Sequence, residues 1–477
     1  MSTHHYICPD ILVGGNWRKG SHAQHLSVRN PATGEVLDDL HLASAEDLQL
    51  ALETTEKAFE HWRQVPAHER CARLERGVAR IRENIDRIAF LLTLEQGKPL
   101  AEAKAECAMA ADLIKWYAEE ARRVYGRVIP ARVPNSRMDV LKFPVGPVAA
   151  FAPWNVPVVL SARKIGGALA AGCSIVLKAA EETPASVAAM VRCLNEELPA
   201  GVLQLVYGVP SEVSRILISS PIVRKVTFTG SVAVGRHLAE MSAKHLKRIT
   251  LELGGHAPVI VCRDAELDRT VSMLVQHKFR NAGQVCLAPT RFFVDRHIYN
   301  DFVEAFGAAT QALRVGSGMQ SDSQMGPVAS ERRQVAVRDL IDRSIATGAR
   351  AVAGRVPESG YFVAPTLLVD VPHHAPVLHD EPFGPVACAI PFNTLDEAIS
   401  QANANPYGLA GYLFTDSAKA ILTVSERLEV GSLAINGTGV SVPEAPFGGV
   451  KDSGYGSESG IEGMEAFLNT KFTHYVA

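Results

Sequence analysis

Between Val145 and Leu246 the sequence alternates four times between a short β-prone run and a run with helical apolar periodicity. Residues 148–152 lead through Pro153-Trp154-Asn155 into a helical stretch ending near Ala171, and 174–178 lead to a helix opening at Thr183-Pro184. Residues 202–207 precede Pro210-Ser211 and another helix, and 223–228 precede Thr229-Gly230-Ser231 and a helix to about Leu246. Parallel strands need a crossover between them, and that crossover is almost always right-handed. Four β-then-α units in a row therefore predict an α/β chain with a parallel, doubly wound sheet.

The rest of the chain divides around this block. Helices are expected over 44–59 (N-capped by Ser44, with Asp47 three residues on), over 69–96 up to the stop Gly97-Lys98-Pro99, and over 100–125. Residues 127–139, rich in Pro, Val and Arg, read as an extended arm. After Leu251-Glu252-Leu253-Gly254-Gly255 a second α/β series begins: strand 259–261, helix 267–281, strand 291–294, and further units to about Glu429. The tail 454–477 ends in a β-prone stretch, 471–476. With 477 residues and roughly 150 per domain, about three units are expected.

Composition removes several function classes. Lys plus Arg total 48 against 51 Asp plus Glu, a net charge of −3, which carries no polyanion-binding signature. The eight cysteines contain no C-x-x-C, and none has zinc spacing to a histidine, so neither a disulfide framework nor a metal site is expected. The longest apolar stretch, 143–162, is interrupted by Pro144, Pro147, Pro153 and Pro157, so it cannot form a continuous membrane helix. The first residues are polar and show no apolar signal core. The expectation is a cytoplasmic enzyme acting on a small molecule.

Three residues stand out chemically. Cys286, in Asn281-Ala282-Gly283-Gln284-Val285-Cys286, follows a helix and precedes a strand. A lone cysteine is more often a buried small hydrophobe than a nucleophile. Glu252 puts a carboxylate where a strand end should be apolar; it reads either as an ion-paired residue or as a desolvated general base. Asn155 either caps the following helix or donates to an oxyanion. No G-x-G-x-x-G follows a predicted strand, but Phe228-Thr229-Gly230-Ser231 opens a helix whose free N–H groups favour a phosphate. Lys178 and Glu181 flank another strand end, where open α/β sheets bind ligands; Glu181 could take both ribose hydroxyls and would repel a 2′-phosphate.

Taken together, Pro153-Trp154-Asn155, Leu177-Lys178, Phe228–Ser231, Leu251–Gly255, Gly283–Cys286, Glu381-Pro382-Phe383-Gly384-Pro385 and Pro446-Phe447-Gly448-Gly449 resemble the aldehyde dehydrogenase superfamily in order and spacing. The resemblance implies an NAD-binding domain of residues 1–126 and 140–252, a catalytic domain over 253–430, and an oligomerisation element from 127–139 and 454–477. That is two doubly wound parallel-sheet lobes plus a β element. It implies Cys286 as nucleophile, Asn155 with the Cys286 N–H as oxyanion hole, and Glu252 as the base that hydrolyses the thioester. It implies a cofactor site of Trp154, Lys178, Glu181, Phe228, Gly230, Ser231, Glu381 and Phe383, and a proton-relay role for Glu458. Glu181 favours NAD over NADP and leaves dual use open. The free edges of arm and tail are expected to pair between subunits of a homodimer or homotetramer.

Within the superfamily the nearest likeness is to succinate-semialdehyde and 2-oxoglutarate-semialdehyde dehydrogenases. Arg163, Arg280 and Ser441 match positions that bind the distal carboxylate of a semialdehyde, for which a guanidinium pair is suited. Succinate semialdehyde is the expected substrate, with 2-oxoglutarate semialdehyde and aromatic or neutral aldehydes as alternatives. Val156 stands where a bulkier aromatic is common, which would widen the tunnel. Leu287-Ala288 leave no second cysteine beside the nucleophile, and Ala179 replaces a frequent proline. Glu252 opposes an acyl-CoA-forming reading, and Cys286, Glu252 and Asn155 together oppose a non-catalytic one.

Overall fold

The computed structural model describes residues 6–477. The predicted parallel strands are Val148–Phe151, Ile175–Lys178, Leu203–Val206, Lys225–Thr229 and Arg248–Glu252. The first four are buried at every position, as strands covered by helices on both faces must be. Their order across the sheet is Leu203–Val206, Ile175–Lys178, Val148–Phe151, Lys225–Thr229, Arg248–Glu252. Antiparallel strands extend both edges, Ile11–Val13 with Asn16–Arg18 on one side and Gly454–Tyr455 on the other. The second lobe runs Arg350–Ala353, Thr366–Val369, Val386–Phe392, Pro289–Asp295, Ala257–Val261, Ala410–Phe414, Ser432–Ile435, parallel except for its first strand. Each lobe has its own apolar core, and Val156 packs against both.

Ser44 caps helix Ala45–Trp62 in a reciprocal box with Asp47, as its sequence predicts. The single helix expected over 69–96 is two, Ala67–Glu83 and Ile85–Gln96. Asn84 breaks the run with φ −106° and ψ 10°, and left-handed Gly97 (φ 96°) ends the second helix.

Arm and tail differ from expectation. Tail strand Leu468–Val476 pairs antiparallel with Ser136–Pro144 of the same chain, from Leu468 opposite Pro144 to Val476 opposite Ser136. Arg127–Ile129 lies on the other side of Ser136–Pro144. The two segments thus satisfy one another, and the arm runs to Pro144 rather than stopping at Asp139. The region 454–477 is also not one element. Gly454–Tyr455 joins the first sheet and Gly460–Glu465 forms a short helix, which draws Glu458 into the interior of the first lobe. The second sheet likewise closes beyond residue 430, with Ser432–Ile435.

Candidate active site

The loop carrying Cys286 is built from strained backbone. Asn281, Ala282 and Gly283 are all left-handed, with φ of 52°, 52° and 70°. Such a conformation costs about 1–2 kcal/mol at each non-glycine residue, so surrounding contacts must impose it. They do. Asn281 N donates to Glu102 Oε2 (2.8 Å), Gln284 Nε2 to Asn281 O (2.9 Å), and Ala329 N to Gln284 Oε1 (2.9 Å). A side chain at Gly283 would lie 2.1 Å from Gly384 O, and one at Gly255 would lie 2.3 Å from Cys286 O. The loop is therefore clamped between two backbone segments that approach as closely as glycine allows. Cys286 as a residue is half-buried. Burial, followed by Glu252 and Glu381, raises its pKa, while Arg163 pulls it down.

Asn155 comes from the other lobe, just past the C-terminal end of Val148–Phe151. It is buried, and its Nδ2 donates to Gln284 O at 2.9 Å, two residues before the cysteine. Asn155 and Cys286 thus meet at the seam between the sheets, with one amide hydrogen of Asn155 still uncommitted.

Glu252 ends the strand Arg248–Glu252 and is buried. Its pKa rises to about 8, mainly through desolvation; Arg163 opposes the shift and Glu458 adds to it. Oε2 lies 3.4 Å from Arg163 Nη1 and accepts from Thr229 Oγ1 at 3.4 Å, whereas Oε1 has no partner. A polar chain continues inward. Lys164 Nζ donates to Thr229 Oγ1 (2.8 Å) and to Glu458 Oε1 (2.6 Å), and Thr227 Oγ1 donates to the same Glu458 oxygen (2.9 Å). Lys164 and the two threonines were not singled out from sequence. Their signal was the polar alternation Lys225-Thr227-Thr229 within a strand that should be wholly apolar.

Arg163 and Ser441, 278 positions apart, do meet: Arg163 Nη2 donates to Ser441 Oγ at 2.9 Å. The guanidinium carbon stands 4.7 Å from the centre of the Phe447 ring, and Nε is buried without a partner. Arg280 does not join this contact. Helix Leu267–Phe279 ends before it, ψ of 135° turns the chain, and Arg280 is exposed with no ion pair among the described residues. At the Ser441 contact itself a single buried arginine is backed by a hydroxyl.

The expected cofactor residues follow strand ends of the first sheet or lie on a loop of the second lobe that touches them. Lys178 Nζ pairs with Glu181 Oε2 at 2.7 Å, and Glu181 Oε1 accepts from Gly208 N at 3.0 Å. Gly230 is required because a side chain there would lie 2.4 Å from the Phe228 ring. Ser231 is exposed and its side chain makes no cap to helix Val232–Lys244, which leaves that N-terminus open to an anion. Glu381 Oε1 accepts from Gly255 N at 2.8 Å, and burial lifts its pKa to about 7. Phe383 (φ 41°) meets Trp154 edge-on at 5.6 Å, with Arg333 Nη2 holding the carbonyls of Pro382 and Phe383. A fixed carboxylate for ribose hydroxyls, an uncapped helix start for pyrophosphate and an aromatic pair near Cys286 together fit a nicotinamide dinucleotide.

The aldehyde dehydrogenase family matches residues 17–473. The chain is 81% identical over 477 residues, all of both chains, to 4-(hydroxymethyl)benzenesulfonate dehydrogenase TsaD1 of Comamonas testosteroni. It is 41% identical over 461 residues, 96% of each chain, to glutarate-semialdehyde dehydrogenase of Pseudomonas putida. The structure of succinate-semialdehyde dehydrogenase from Burkholderia pseudomallei superposes with a TM-score of 0.97 at 40% identity, covering 100% of both chains.

Proposed function

Because this chain belongs to the aldehyde dehydrogenase family, we propose that it oxidises an aldehyde carrying a distal anion to its carboxylic acid. An aromatic aldehyde with a ring sulfonate is the preferred substrate, ahead of succinate semialdehyde. The observation that carries this reading is the Arg163–Ser441 contact beside Glu252, a buried forked cation whose Nε has no partner. The relatives named for a benzenesulfonate and for semialdehydes share such an anion, and the 81% identity favours the aromatic one. Val156, small and placed at the seam, supports room for a ring.

The chain's own groups suit each step. Cys286 gives up its proton to solvent, and the thiolate adds to the aldehyde carbon. Asn155 Nδ2 and the Cys286 N–H receive the alkoxide. Lys178, Glu181, Ser231, Glu381, Phe383 and Trp154 would hold NAD, which would supply the hydride acceptor. Glu252 then removes a proton from the water that cleaves the thioester, and Thr229, Lys164 and Glu458 offer that proton a way inward. The family uses NAD(P); the Glu181 carboxylate, fixed at both oxygens, supports NAD.

A panel of 4-formylbenzenesulfonate, 4-formylbenzoate, benzaldehyde, succinate semialdehyde and glutarate semialdehyde tests the substrate. The highest kcat/KM should fall on the sulfonate, with benzaldehyde well below it. Benzaldehyde leading would remove the anion from the reading.

Among the described residues no helix is long and apolar enough to cross a membrane, in line with the cytoplasmic location proposed. Free outer edges of the arm sheet, with Val128, Phe472 and Tyr475 exposed, support a homodimer or homotetramer. A stable monomer at micromolar concentration in sedimentation would refute it.

A further inference from the structure

Lys98 lies in the link between helices Ile85–Gln96 and Leu100–Glu120 and is 3% exposed. The link is wedged against the second lobe. Leu100 N donates to Gly318 O at 3.0 Å, and side chains at Gly318 or Gly326 would lie 2.3 Å from Lys98 O or 2.1 Å from Gly97 O. Inside, Lys98 Nζ forms an ion pair with Glu106, also buried. Such a pair pays heavily in desolvation and is weak evidence for stability, so what else the two groups hold is informative.

Both hold the Asn155 segment. Lys98 Nζ donates to Asn155 O at 2.9 Å. The same oxygen accepts from Asn281 Nδ2 at 2.8 Å. Glu106 Oε1 accepts from Val158 N (2.9 Å) and Val159 N (3.4 Å), the otherwise free N–H groups that open helix Pro157–Ala171. One turn earlier on the same helix, Glu102 Oε2 fixes Asn281 N, where the cysteine loop begins. The two oxyanion donors come from different lobes, Asn155 from the first and Cys286 N–H from the second. The stretch Lys98 to Glu106 touches the backbone of both.

We propose that Lys98 is a positioning residue of the oxyanion site: with Glu106 and Glu102 it sets the spacing between the Asn155 amide and the Cys286 N–H. This rests on the acyl-transfer reading above. Lys98 reaches no reacting atom; it acts through the Asn155 carbonyl and the helix start.

The test is pre-steady-state NADH formation in the parent, Lys98→Met, Lys98→Arg, Glu106→Gln, Asn155→Ala and the Lys98→Met/Asn155→Ala double variant. Cys286 alkylation by iodoacetamide, which needs no oxyanion donor, runs alongside. Lys98→Met should slow the burst about tenfold to a hundredfold, short of the loss of a donor itself. KM for NAD and the alkylation rate should stay within about twofold, and Lys98→Arg should recover part of the burst. In the Asn155→Ala background, Lys98→Met should have little further effect, because both changes act on one group. Should Lys98→Met fail to fold, Glu106→Gln reads the same contrast. A burst within twofold of the parent, equal loss of burst and alkylation, or additive losses in the double variant would overturn the positioning role alone. A parent that forms no NADH from any aldehyde would overturn the functional reading and this one with it.

Discussion

Arg163 touches two groups with different duties: Nη1 stands 3.4 Å from Glu252 Oε2 while Nη2 donates to Ser441 Oγ. The cation proposed to hold a substrate's anion therefore also lowers the pKa of the candidate base. The Arg163–Glu252 contact is buried on both sides and so little screened by solvent.

Replacing Arg163 by Met should thus do two things at once. The preference for anionic over neutral aldehydes should collapse. The carboxyl of Glu252, already lifted to about 8 by burial, loses the cation that pulls it down most, with Lys164 left as the weaker one. The rising limb of the kcat–pH profile should move to higher pH. A variant that changes substrate preference with an unmoved pH profile would separate the two roles.

Glu252 also carries a stability signature. Its carboxyl is raised from about 4.5 to about 8, so the folded state binds its proton more tightly than the unfolded one. That contribution is complete below the unfolded value and is lost as pH rises through the folded one. Glu252→Gln keeps a neutral group at every pH. Its Tm should match the parent's in acid and exceed it by a margin that widens from about pH 4.5 to about 8. Thermal melts across that range check this, and parallel curves would contradict it.

Cofactor choice is tested at Glu181. Its oxygens are committed to Lys178 Nζ and Gly208 N, which fixes the carboxylate proposed to meet the ribose. Glu181→Ser should raise KM for NAD and lower KM for NADP, narrowing or reversing the preference. An unchanged ratio of the two kcat/KM values would remove Glu181 from ribose recognition.

Local signals carried well from sequence to structure. Ser44 and Asp47 announced their capping box, and the four βα units announced the parallel sheet, because each depends on neighbours a few residues apart. Asn84 was hidden, since apolar periodicity runs straight through it. The pairing of Leu468–Val476 with Ser136–Pro144 depends on a register between segments more than 300 positions apart, which no local pattern encodes. The site divides the same way. Cys286, Glu252 and Asn155 were visible as chemistry out of place, and Arg163 with Ser441 only through a family likeness. Arg280 came from the same likeness; the helix ends before it and the backbone turns left-handed at Asn281, so it makes no hydrogen bond at the Arg163–Ser441 contact. Lys98 read as part of a helix stop, and nothing local showed that its ammonium reaches Asn155.

The most direct measurement is the mass of the Cys286 peptide from Glu252→Gln after incubation with NAD and 4-formylbenzenesulfonate. With the base replaced, acylation should outlast hydrolysis, and the peptide should gain the mass of one 4-sulfobenzoyl group. No adduct on Cys286, or the same adduct on another residue, would contradict the nucleophile and the substrate together.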